Sequence, residues 1–392
     1  MTDEKKYSLA SLSDQEKREI HSRLVKAARK IGTELETIGQ ARDQAAVLDA
    51  LEQNIAQTGF TDHHQDNRFD RRSYEIARRV VINDVFLNYD VPFSRRWEHV
   101  REIERQPGTD LMLVCGPIDG NTNFLDSLEY QLDQERRQIT VGKTSPDACV
   151  CLAMVDVNVP FKPIATAIYW FRNREVMSSL VAGDSYLAFR GVGNALVDQE
   201  EELDRMRRKK SNIFWNIFIA DFVNQFRKGP TALEESLIDY GWERKRTIIP
   251  VRGSPATSSY LCAIIEPKSV IAYVDGRADW CLPQDVTDER KRRPYAFLKY
   301  MNAISVLPIV LGYGLEARAI DGRPLDEAHP IDAETLLSKD KSTDMTLVVG
   351  LPEFFKPESD FNIIDGLRKG RELARQEWSR YIGAPTTLEK QP

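Results

Sequence analysis

Between residues 111 and 191 the chain presents five short runs, LMLVCG, ACVCLAMVDV, PIATAIYWF, EVMSSLVAG and SYLAFRG, separated by Gly, Pro, Asn and Asp. Runs this short, apolar or alternating and bounded by turn residues, predict neighbouring strands of an antiparallel or mixed sheet. Such a sheet needs covering, and the flanking sequence supplies helices. Ser13-Asp14-Gln15-Glu16 is a capping box, and Ile20, Leu24, Ala27, Ile31 and Leu35 follow it at helical spacing. Further helices are predicted over 46–57 and 74–87, with a charged, exposed one over 199–210. The segment 212–227 also reads as helical, with Phe214, Trp215, Phe218, Phe222 and Phe226 as an apolar core stripe.

A second α/β half then begins. TIIPVRGSPATSSYLCAIIE reads as a strand, a Gly-Ser turn and a helix, and SVIAYVDG as a strand. An apolar helix over 295–310 follows, with Pro294 at its first turn and Pro308 near its end. EARAIDG and TLVVGLP are strands, and a charged helix over 361–380 closes the pattern. The division predicted is a disordered N-terminus over 1–12, an N-terminal α+β lobe over 13–240, a C-terminal α/β lobe over 241–385 and a disordered tail over 386–392.

Composition narrows the class of protein. A chain of 392 residues, 42% hydrophobic and 29% charged, is that of a globular protein able to build two ordinary cores. Its net charge of -6 exerts no global pull on nucleic acid or on an anionic membrane, and the basic runs RMRRKK (205–210) and RKRR (290–293) read as solvated surface. MTDEKKYSLASLS lacks the apolar core of a signal peptide, and no stretch is apolar enough to span a membrane, so a cytoplasmic protein is expected. Five cysteines without CxxC spacing predict reduced, buried thiols and no zinc site.

Chemistry concentrates in LMLVCGPIDGNTNF. A strand ending in Pro-Ile-Asp-Gly carries the Asp119 carboxylate to its tip, and Gly120 permits a tight turn. A helix starting near Asn121-Thr122 would aim free backbone N–H groups at an anion beside that carboxylate. Carboxylate, divalent cation and phosphate then have a common meeting point.

CGPIDGNTNF resembles the DPIDGTTNF loop of the inositol monophosphatase family. The likeness continues in IATAIYWFRNREVMSSLVAGDSYLAFRGVGNALV, in VRGSPATSSYLCAIIE and in AISVLPIVLGYGLEARAIDGRPLDE, in the family's order and covering roughly residues 110–350. The resemblance implies a layered α-β-α-β-α sandwich of the α+β class, Mg²⁺-dependent hydrolysis of small phosphomonoesters, and a homodimer. It implies metal contacts through the Ile118 carbonyl and Asp119, water orientation by Asn121, and phosphate contact through the N–H of Thr122. Gly120, Gly253, Ser254 and Asp275 correspond to positions packed near or touching substrate.

The same resemblance exposes departures. The first loop carboxylate of the family is replaced by Gly116. The upstream glutamate has no preceding Gly, and Glu98 is its best counterpart, with Glu102 behind it. Met301 falls where the last aspartate ligand belongs; a thioether cannot replace a hard oxygen, which leaves Asp285 as the rescue candidate. At most one Mg²⁺ is expected, and none is an open alternative. The favoured reading is a divergent family member that binds a small phosphorylated or polyhydroxylated ligand with altered or lost phosphatase chemistry. The alternative is an active Mg²⁺-dependent phosphomonoesterase acting on a small sugar, cyclitol or nucleotide phosphate.

Overall fold

The computed structural model describes residues 6–40, 68–98, 103–120, 124, 148–159, 162–191, 195–210, 215–220, 246–251, 262, 265, 270–275, 299–319, 322–328, 347–356 and 364–365. The predicted strands form one seven-stranded sheet in simple sequential order. These strands are β1 (Ser94–Trp97), β2 (Leu111–Asp119), β3 (Cys149–Asp156), β4 (Ala165–Trp170), β5 (Glu175–Ala182), β6 (Ser185–Arg190) and β7 (Ala195–Leu196). β1 joins β2 in parallel and every other pair is antiparallel.

β2, β3 and β4 are buried at every position. Their alternation is therefore between two cores and not between core and water. Leu111, Leu113, Cys115, Val150, Leu152 and Met154 face one core; Met112, Val114, Cys149, Cys151 and Ala153 face the other. Period 2 dictates this division, because successive side chains leave a strand on opposite sides.

The first core is closed by helices α1 (Asp14–Gln40) and α2 (Arg68–Arg79), the latter running on into a π-helical turn, Val80–Val85. The predicted capping box starts α1: the Ser13 amide donates to Glu16 Oε2 at 2.7 Å, and the Glu16 amide donates to Ser13 Oγ at 3.2 Å. Ile20, Leu24, Ala27, Ile31 and Leu35 are all buried along the face that meets the sheet.

The second core lies between the two sheets. It is filled by α4 (Lys299–Gly312), which follows the exposed, charged α3 (Gln199–Lys210) in chain order. Residues 303–310 of α4 are buried on every side, as a helix between two sheets must be. The second sheet has five strands in the order β11-β12-β10-β8-β9. These are β8 (Trp215–Ala220), β9 (Arg246–Val251), β10 (Val270–Asp275), β11 (Glu316–Arg318) and β12 (Leu347–Gly350), with the short helix α5 (Leu325–Ala328) between the last two. β8, β9 and β10 are parallel, and β12 runs antiparallel to β10 and β11. The result is an α+β layered fold of helices, sheet, helix and sheet; the expected outermost helical layer falls outside the described residues.

Two expectations need correction. Residues 215–220 form the strand β8 and not the middle of an aromatic helix. WNIFIA sits between two parallel neighbours, and a short apolar run of that kind carries no period that separates strand from helix. Residues 6–12, expected to be disordered, are docked along the sheet. Tyr7 bridges Thr109, and the Leu9 amide donates to the buried Asp156 carboxylate at 2.7 Å. The helix predicted over 295–310 is α4, which contains Pro308 and runs on to Gly312. The helix predicted over 46–57 lies outside the described residues.

Two packing details give measurable consequences. A Cβ on Gly32 of α1 would fall 2.1 Å from Cδ1 of Tyr169 on β4, so the ring occupies the space that a side chain would need. Gly32→Ala gains about 1 kcal/mol of helix propensity and loses about 1–3 kcal/mol to overpacking against a buried ring. A net loss of stability is expected, read as a lower urea midpoint at unchanged slope.

His21 of α1 is 5% exposed, sits 2.9 Å from Ser178 Oγ and packs on Phe189. Burial lowers its pKa to about 4, so the ring is neutral in the fold, whereas the unfolded chain takes up a proton below about 6.5. Its contribution is thus intact above pH 6.5 and is lost as pH falls toward 4, by roughly 3 kcal/mol in all. Denaturation midpoints measured from pH 7 to pH 4 are expected to fall more steeply in the wild type than in His21→Gln.

Candidate functional site at the tip of strand β2

The end of β2 contains one extra residue. Gly116 pairs with Cys151 and Asp119 pairs with Cys149, so three steps along β2 match two along β3. A bulge of this kind turns the following side chain to the other face. Ile118 consequently joins the α1 core, while Asp119 comes to lie opposite Cys149, whose side chain belongs to the core between the sheets. Asp119 is 7% exposed. Gly120 follows at φ +91°, a conformation that glycine adopts without strain. The amide of Phe124 donates to the Gly120 carbonyl at 3.0 Å, and the Phe124 ring packs on Phe171 with centroids 4.7 Å apart.

Glu98 reaches the same place from the neighbouring strand. Parallel pairing sets Trp97 beside Cys115, and the Glu98 amide donates to the Cys115 carbonyl at 3.0 Å. Glu98 follows that last pair in a turn beyond β1, and Gly116, one residue on from Cys115, pairs with Cys151 on the other side. Glu98 is 8% exposed, and its negative charge adds to the burial that pushes the Cys115 thiol well up from its ordinary range.

A feature that the motif reading did not anticipate is the thiol-rich ground behind Asp119. Cys149 and Cys151, two apart on β3, face the same core as Cys262, and Cys262 lies within hydrogen-bonding reach of Cys149. Burial, that hydrogen bond and the nearby Cys151 and Asp119 all hold the Cys262 thiol well above its usual range. Cys262 belongs to the segment VRGSPATSSYLCAIIE, and its thiol lies near enough to Asp119 to feel that carboxylate. Cys-x-Cys in a predicted strand was the available signal, since alternation places both thiols on one face.

Of the residues nominated from sequence, the structure thus brings Glu98, Ile118, Asp119 and Gly120 to one end of the sheet. Asp275 ends β10, where its backbone lies between Ala220 of β8 and Leu347 of β12. Asn121, Thr122, Gly253, Ser254, Asp285 and the weaker candidate Glu102 lie outside the described residues, and nothing is described of the Met301 side chain.

Among the described residues no group of three His, Cys, Asp or Glu side chains is arranged to hold a metal ion. The oxygen donors present at the tip of β2 are the carboxylates of Glu98 and Asp119 and the Ile118 carbonyl, at a bulge where the ladder to β3 shifts register. One hard cation that keeps several waters suits such a set; two adjacent divalent cations would lack the negative charge to offset their repulsion.

Buried, protonated thiols are poor nucleophiles. Cys115, Cys149, Cys151 and Cys262, all buried and none in a disulfide, are expected to escape alkylation by iodoacetamide in the native protein and to react fully in denaturant. Peptide mass mapping of the two samples checks this.

No protein-family model matches the chain, and no curated protein matches it. Among solved structures, the Thermotoga maritima IMPase is similar at 13% identity over 89% of this chain and 97% of that one, with a TM-score of 0.47. Inositol monophosphatase-II from Staphylococcus aureus is similar at 15% identity over 88% and 95%, with a TM-score of 0.43. A hypothetical protein from Pyrococcus horikoshii with similarities for inositol-1 monophosphatase stands at 14% identity over 75% and 82%, with a TM-score of 0.40. These structures are what the chain is similar to, and its function has to be argued from its own residues.

Proposed function

We propose that the chain binds a small phosphorylated or polyhydroxylated ligand at the tip of β2, with phosphatase chemistry altered or lost and with room for at most one divalent cation. The observation that carries this reading is the shared end of β1 and β2: Glu98 follows the last pair between them, Asp119 ends β2, and Gly116, three residues before Asp119 and paired with Cys151, has no side chain. Removing a carboxylate there removes a full charge and a ligand oxygen together.

In this reading Glu98, Asp119 and the Ile118 carbonyl hold the cation, which when bound would neutralise phosphate charge and polarise a phosphoryl oxygen. Gly120 allows the backbone to approach the ligand closely, Thr122 offers its N–H to a phosphate oxygen, and Asn121 orients a water through its amide. Gly253, Ser254 and Asp275 complete the ligand side, with Asp275 accepting from ligand hydroxyls, and Asp285 is the remaining acid that could add to the metal shell. A cytoplasmic homodimer of two lobes, divided near residue 240, belongs to the same proposal.

The second reading, an active Mg²⁺-dependent phosphomonoesterase, is favoured by one observation: Glu98 and Asp119 are both buried at one end of the sheet, and buried acids recur at catalytic sites. Calorimetric titration with Mn²⁺ and a release assay on p-nitrophenyl phosphate separate the two. Weak binding of one Mn²⁺ without turnover is expected for the wild type. Gly116→Asp is expected to tighten Mn²⁺ by about tenfold or more, some 1.4 kcal/mol, and to be less stable than wild type until metal is added, since it sets a further buried carboxylate beside Glu98. Metal-dependent turnover by the wild type, abolished in Asp119→Asn, would overturn the first reading in favour of the second.

A further inference from the structure

The pairing that fixes Asp119 continues across the sheet. Asp119 pairs with Cys149, Cys149 with Trp170, and Trp170 with Glu175, a row of directly opposed residues on four adjacent strands. Directly opposed residues share a face, and strands lie about 4.8 Å apart, so the backbones of Asp119 and Trp170 are about 10 Å apart. At the end of the row Arg190 of β6 grips Glu175 through two parallel bonds, Nε to Oε1 at 2.8 Å and Nη2 to Oε2 at 2.9 Å.

Two polar atoms of the core between the sheets have no hydrogen-bond partner among the described residues. Trp170 is fully buried with its Nε1 unpartnered, and Tyr313, in the turn that ends α4, is fully buried with its hydroxyl unpartnered. Both side chains belong to the core that contains Cys149 and Cys262. The groups acting on the Tyr313 hydroxyl are the Arg190 guanidinium, the Glu202 and Glu175 carboxylates and the Cys262 thiol. An indole N–H can only donate, and leaving such a donor buried without an acceptor is costly. Native proteins tolerate few such groups.

We propose that Trp170 Nε1, Tyr313 Oη and the Arg190 guanidinium form a second anion subsite, contiguous with the Asp119 end of the sheet, that takes a second phosphate group of the same ligand. The proposal rests on the phosphorylated-ligand reading above and narrows it to a ligand carrying two phosphates. All three groups can donate to a phosphate oxygen, and Glu175 holds the guanidinium plane in place. Arg190 and Glu175, with side chains 30% and 21% exposed, are the open side of the subsite, so the ligand enters past them.

Calorimetry on the full chain with tripolyphosphate, and with orthophosphate as the single-anion reference, tests this. Wild type is expected to bind tripolyphosphate at least tenfold more tightly than orthophosphate, and Tyr313→Phe to abolish that advantage. Tyr313→Phe is also expected to have an unchanged or higher Tm without ligand, because it deletes an unsatisfied buried hydroxyl. A variant that keeps the full tripolyphosphate advantage overturns the subsite, as does a ligand-free Tm several degrees lower, which would mean that the hydroxyl serves the fold. Orthophosphate binding without any tripolyphosphate advantage in the wild type sinks the subsite alone. Absence of binding by either anion sinks the phosphorylated-ligand reading with it.

Discussion

β2 is buried on both faces along its whole length, and the rest of the architecture follows from that constraint. Nine consecutive buried positions demand a partner layer on each side, so the chain must provide helices for one face and a helix with a second sheet for the other. The contacts that meet this demand are close. Gly32 of α1 has no room for a side chain above Tyr169, and a Cβ on Gly312 of α4 would fall 2.7 Å from the Cβ of Ala188 on β6. A strand clamped in this way has little freedom, and its last residues inherit its rigidity.

That rigidity gives the extra residue between Gly116 and Asp119 its meaning. Without the bulge, strict alternation would place Ile118 toward the second core and Asp119 toward the α1 core, where no other nominated site residue faces it. With the bulge, Asp119 shares a face with Cys149 and, through it, a row that runs to Glu175 and Arg190. Burial of a carboxylate is unfavourable unless it is partnered, and buried acids recur at functional sites.

How much of this was legible in the sequence varied with the range of the interaction that decides it. The Pro-Ile-Asp-Gly turn and the capping box at Ser13 were legible because both are set within a few residues. Glu98 could be nominated only by its distance along the chain from Gly116; its position at the end of β2, with its amide on the Cys115 carbonyl, comes from parallel pairing of β1 with β2, a contact between segments that no local rule links. Trp215–Ala220 was misread for a related reason. In a strand flanked by parallel neighbours the run of apolar residues need not alternate, so its sequence fits a buried helix equally well.

The sequence by itself determined the strand-rich centre, the helical first layer, the absence of a carboxylate at residue 116 and the tight turn at Gly120, since composition, short-range periodicity and glycine stereochemistry suffice for each. Only the tertiary structure decided which face Asp119 occupies, that Glu98 comes to the same end of the sheet, that Cys262 joins Cys149 and Cys151 behind Asp119, and that Trp170 and Tyr313 have polar atoms unpartnered among the described residues. The physical reason is that each of these depends on strand register and on the packing of separate layers, where a shift of one residue moves a side chain from one core to the other.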